Sequence, residues 1–134
     1  MLRQGLVVPL PSVESAVSGM AGAHAQVISA AELWVGVRAT TVTPSDIRPA
    51  LRQGGSVVKT YGPRGTVHLL PRVELPLWCA ALSAVPYGSP LAEGVRLDAD
   101  HLTAIVAAIA DSLATADSLN GDELGDAVVE RLGT

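Results

Sequence analysis

A single cysteine, Cys79, is the only thiol in the 134-residue chain, so no internal disulfide can form, and a reducing cytoplasm is the expected compartment. It stands in the apolar stretch LWCAAL with no base beside it in sequence, which reads as a buried structural thiol rather than a nucleophile. No apolar run approaches the roughly 18 residues that cross a bilayer. The nearest, LTAIVAAIA, reads as a core helix, and no membrane association is expected. Prolines interrupt the N-terminal MLRQGLVVPLP and no small-residue cleavage site follows it, so it reads as mature chain. His24, His68 and His101 are the only histidines; they lack metal-ligand spacing and no cysteine pair joins them, so no metal is expected. Gly54-Gly55 and the tripeptide PRG lack the lysine and serine of a phosphate loop, and no cofactor is expected. Aromatic residues are scarce: Trp34, Tyr61, Trp78 and Tyr87 are the full set.

What remains is a folded chain of about one domain, 49% hydrophobic and 16% charged, long enough to bury a core. Its net charge of −4 hides a strong asymmetry. Residues 38–72 hold six of the nine basic side chains (Arg38, Arg48, Arg52, Lys59, Arg64, Arg72) against one acid, Asp46. Residues 93–134 hold nine acids against Arg96 and Arg131. A basic middle suits a polyanion as partner, and an ordinary solvated surface is the other reading.

The order of elements narrows this. Ser12 opens a first helix whose Val13, Val17 and Met20 recur at helical spacing. Ser29 and Glu32 stand at capping-box spacing ahead of a second, short helix with Leu33, Trp34 and Val37 as its apolar stripe. Thr43 as N-cap, Pro44 in the first turn and Asp46 near the positive end begin a third helix, kinked by Pro49 and stopped by Gly54-Gly55. The period then turns from helical to alternating: SVVKTY and GTVHLL, parted by Gly62, Pro63 and Arg64, read as a β-hairpin. His68 alternates with Val67 and Leu69, which points to an imidazole hydrogen-bonded inside that hairpin.

Three helices and a hairpin with a basic tip make a winged helix, so the expected fold is mainly α with a small β-hairpin. In such a fold the third helix commonly enters the major groove while the wing follows the backbone. The expected DNA-binding residues are Arg48 and Arg52, four apart on the third helix, with Lys59, Tyr61 and Arg64 on the wing. PRVELPLWCAAL makes a fourth helix. The expected domains are a first winged helix over 1–85, a linker over 86–97 and part of a second winged helix over 98–134, where Asn120 and Glu123 again have capping-box spacing. The chain stops before a second wing, so the expectation is the N-terminal part of a longer protein with further C-terminal domains.

The tripeptide HAQ, residues 24–26, has two readings. His24 caps or packs and Gln26 faces water, or the two act together. Residues two apart in a regular helix diverge by about 200°, whereas in an extended segment they share a side, and Gly22 permits such a break. Ala25 would then face the core.

AGAHAQVISAAELWVGVRA followed by VVKTYGPRGTVHLLPRVELPLWCAAL resembles the AlkZ/YcaQ-type winged-helix DNA glycosylases over essentially the whole chain, most specifically in HAQ and RGTVHLLP. The resemblance implies several winged-helix units and a β-barrel in the full protein, double-stranded DNA as partner, and removal of alkylated or crosslinked bases. It also implies a catalytic motif of Gln or His, an apolar residue, then Gln or Asp. Here that motif is His24, Ala25 and Gln26, a departure from the commoner Gln-first form. Gln26 would hold a water and His24 accept its proton. The expected location is the cytoplasm, at the nucleoid. Two other classes stand beside the glycosylase: a winged-helix regulator that reads sequence without chemistry, and a module serving only structure or interaction.

Overall fold

A computed structural model describes residues 4–52, 54–85 and 97–133. The linker expected over 86–97 therefore lies, apart from Leu97, outside the described residues. The chain separates into two compact units, residues 1–86 and 87–134.

In the first unit, α1 (Val13–Gly19) starts where the Ser12 hydroxyl accepts the backbone N–H of Ser15 at 3.1 Å, the N-cap expected from sequence. A two-residue strand, β1 (Ala23–His24), follows, then α2 (Ile28–Gly36) and α3 (Pro44–Ala50). At the start of α3 the Asp46 carboxylate accepts both the backbone N–H and the hydroxyl of Thr43 at 2.7 Å. The wing is β2 (Val57–Tyr61) and β3 (Val67–Pro71), with a short 3₁₀ turn at Pro63–Gly65, and α4 (Leu75–Ser83) comes after it. The result is mainly α with a small antiparallel sheet, a winged-helix-like arrangement.

Four sequence expectations need correction here. The sheet has three strands in the order β1-β3-β2, because the HAQ segment pairs with the wing. The second helix begins one residue before Ser29, at Ile28, so Ser29 cannot cap it; Val27 is the cap residue and contributes no side-chain hydrogen bond. Nor is the stripe Leu33, Trp34 and Val37 its buried side, since these are 67%, 47% and 53% exposed. The smaller Ala31 and Val35, at i and i+4, are the ones at 0%, as is Ala39 just past the end of the helix. They meet Val13, Ala16 and Val17 of α1, Ile47 of α3, and Val57 and Leu69 of the wing in one core. Alanines on the inner face let short helices approach the sheet closely, which a Leu-Trp stripe would prevent. Cys79, expected to be buried, is exposed on α4.

The second unit is α5 (Ala99–Thr115) packed on α6 (Gly121–Leu132). The α6 capping box is fully formed: Asn120 Oδ1 accepts from the backbone N–H groups of Asp122 and Glu123 at 3.0 Å, and Glu123 Oε2 accepts from that of Asn120 at 2.7 Å. Asp98 caps α5, accepting the His101 backbone N–H at 2.8 Å, and this bond holds its carboxyl below its ordinary pKa of 3.8. A carboxylate depressed in the folded chain stabilises it above its ordinary pKa, and that stabilisation is lost as pH falls through the lower folded value. The helicity of α5 should therefore drop as pH falls below 3.8. Asp98→Asn, which caps without titrating, should flatten that part of the far-ultraviolet circular dichroism profile. An unchanged profile in the variant would show that other carboxylates govern it.

Candidate functional site

From Ala23 to Gln26 the chain alternates strictly: Ala23 and Ala25 are buried while His24 and Gln26 are exposed. Pairing with β3 enforces this, because Ala23 stands opposite Leu69, His24 opposite His68, and the Ala25 N–H donates to the Val67 carbonyl at 2.8 Å. The strand ends at His24 and the chain bends at Gln26, so both side chains are exposed on either side of the buried Ala25. Gly22, at φ +97°, makes the corner that carries α1 into this strand.

Opposite His24, the imidazole of His68 is only 5% exposed. Its Nδ1 lies 2.8 Å from the Thr66 carbonyl, which can only accept, so Nδ1 carries the proton. Gly62 packs so closely on this ring that a Cβ there would come within 3.0 Å of it. The two histidine rings meet edge to face, centroids 5.4 Å apart and planes at 80°. A buried ring with a fixed tautomer thereby limits how the exposed ring of His24 can turn.

Beside them opens a cleft of about 420 Å³, whose lining includes His24, His68, Trp34, Arg38, Ala21 and Arg64. Ala21 and Arg64 are the two non-glycine residues with positive φ among the described residues, at 56° and 60°. Such backbone costs roughly 1–2 kcal/mol per residue and collects where a site over-determines it. Arg64→Gly is accordingly expected to raise stability by about 0.5 kcal/mol, after the entropy of a new glycine is deducted. The same change should weaken duplex binding and lower the salt-dependence slope by about 0.9 if Arg64 meets one phosphate. Melting and binding measured across salt on one preparation test both halves.

Not every residue singled out in the sequence comes to this cleft. Gln26 lies exposed next to His24 but outside the lining, and Arg48, Arg52, Lys59 and Tyr61 are also outside it. Register explains the last two. Opposed residues of a sheet share a face, so His24, His68 and Thr60 point one way while Ala23, Leu69 and Lys59 point the other, and Tyr61 with its partner Val67 follows Lys59. Arg52 falls beyond the end of α3, not on it, and Arg48 is held 3.8 Å from Glu32. Conversely, Trp34 and Arg38 line the cleft although the sequence suggested packing for one and surface charge for the other. Their i, i+4 spacing is the signal: the Arg38 guanidinium stacks 5.3 Å over the Trp34 ring and its Nη1 donates to the Trp34 carbonyl at 3.0 Å. Among the described residues, no group of three or more His, Cys, Asp and Glu gathers as a metal site requires. Among them, too, no helix is long and apolar enough to cross a membrane.

A wing whose central strand braces a histidine strand over a cleft with two arginines places the chain in the winged-helix-like class. Residues 17–133 match the family described as DNA glycosylase AlkZ-like, a span running from within α1 to the last described residue after α6. The chain belongs to this family, and with it to the proteins of DNA repair that act on DNA. No curated protein and no solved structure matches it.

Proposed function

We propose that the chain takes part in hydrolysing the N-glycosidic bond of N7-alkylated or crosslinked purines in double-stranded DNA, with His24 and Gln26 as the reacting pair. The observation that carries this is the alternation over residues 23–26, which leaves His24 and Gln26 exposed while Ala23 and Ala25 anchor the segment in the core. A purine alkylated on N7 already bears positive charge and leaves readily. The C1′–N9 bond breaks with its electron pair passing to the departing base, and a water oxygen bonds C1′. The Gln26 carbonyl positions that water, and the unprotonated imidazole of His24 takes its proton. No acid is needed at the base, so a closed base pocket is not required, in keeping with the few aromatic side chains.

Arg48, Arg52, Lys59 and Tyr61 belong in this reading to the wider DNA-binding surface, with Tyr61, 71% exposed, free to stack. Residues 98–134 are the opening helices of a second winged-helix unit, and genomic DNA as target puts the protein at the nucleoid. The test is a duplex treated with an N7-methylating agent: incubation should leave alkali-labile abasic sites at the alkylated purines in any sequence context. Tight binding to one duplex sequence with no such sites would assign a regulator instead.

A further inference from the structure

Arg38 is a cation without a counter-ion among the described residues. It is 9% exposed, and the ion pairs found among the described residues are Arg48–Glu32 and His101–Asp98. Of its five N–H groups, one at Nη1 reaches the Trp34 carbonyl, while Nε is buried with no acceptor at all. A guanidinium stays charged at any ordinary pH, and one withdrawn from water needs an anion or a full set of acceptors. Among the described residues neither is supplied, yet the residue lines the cleft together with His24 and Arg64.

We propose that Arg38 holds a backbone phosphate of duplex DNA in that cleft. This rests on the reading of the cleft as the face that meets DNA. The chemistry fits a phosphodiester: a planar fork offers parallel N–H groups to two phosphate oxygens, and stacking on Trp34 fixes the plane of the fork before the ligand arrives. A phosphate there serves the proposed reaction as well. Two arginines beside the sugar oppose the positive charge that develops on it, and a bound phosphate offsets them while seating the nucleotide against His24. The alternative role, a cap on the last carbonyls of α2 with no ligand, uses the same Trp34 contact and is separable by experiment.

Binding to an undamaged duplex, measured across salt, makes the separation and involves no base release. Arg38→Gln should weaken binding about tenfold or more and reduce the slope of log affinity against log salt by about 0.9, whereas Arg38→Lys should keep the slope. A capping role would lower the melting temperature and leave the slope of Arg38→Gln at the parental value, and that result overturns the proposal. A measurement on the unaltered chain covers the case in which Arg38→Gln fails to fold. The guanidinium ¹⁵N resonances of Arg38 should shift saturably as duplex is added, and unchanged resonances at full duplex occupancy overturn the proposal. If the chain binds no duplex, the reading of the cleft as DNA-facing fails on its own account. Inorganic phosphate alone then decides the site: a saturable shift assigns it to a free anion in place of DNA, and no shift removes the site altogether.

Discussion

Gln26→Ala is expected to lower base release from alkylated DNA by about 10²–10⁴-fold, the span typical of losing a positioned proton-transfer or water-holding group. Folding should be untouched, because Gln26 is exposed while its neighbours Ala23 and Ala25 carry the packing of this segment. Duplex affinity should also stay within about twofold, since a neutral amide releases no counterions on binding. The companion change, His24→Gln, supplies the Gln-first form of the motif and should keep measurable release: the amide carbonyl can still orient water, although it is a poorer proton acceptor than imidazole. Rates under single turnover, set beside melting curves and binding isotherms of the same samples, check all four statements. Parental turnover in Gln26→Ala would return HAQ to its plain structural reading.

The second large effect is expected at Gly22. Its φ of +97° lies where residues with a Cβ are strained, and a Cβ there would sit 2.9 Å from Leu70 Cδ2. Leu70 is 1% exposed, so displacing its methyl disturbs packed neighbours. Gly22→Ala therefore combines backbone strain with overpacking and should destabilise the first unit by about 2–3 kcal/mol. The strain falls on the corner that aims β1, so base release should fall by more than the unfolded fraction accounts for. Denaturant melts read the first effect, and activity scaled to folded protein reads the second. A variant as stable and as active as the parent would show that the corner does not set the position of His24.

Much of the fold was legible because its punctuation is local. Ser12, the Thr43–Pro44–Asp46 group and the Asn120–Glu123 pair act within one helical turn, and the structure shows each of these helix starts where the sequence suggested it. The change of period after Gly54-Gly55 marked the wing. The break from α1 into an extended Ala23–His24 was legible through Gly22, but its partner was not. Two residues are too few to show periodicity, and pairing with a strand more than forty residues away is a long-range choice. The inner face of α2 was misread for a related reason: alanine carries little hydrophobic signal, so Leu33, Trp34 and Val37 outweighed Ala31. Arg38 passed as one more surface charge because its burial depends on Trp34 and the cleft, neither of which a charge count records. Lys59 and Tyr61 were placed on the wing with Arg64, and sheet parity, which the sequence does not show, turns them to the opposite side from His24 and His68.

The proposed reaction breaks a glycosidic bond as positive charge develops on the sugar and water is directed to it. The most direct measurement is the free base released when saturating protein meets a duplex containing one N7-methylguanine, set beside the same duplex with a 2′-fluorine on that nucleotide. Fluorine withdraws electrons from the sugar and opposes charge at C1′, yet alters the bound shape little. The expected result is equal binding of both duplexes, release from the first well above spontaneous depurination, and none from the second. Full occupancy of the first duplex with release no faster than in protein-free solution would contradict the account and leave a protein that binds DNA without chemistry.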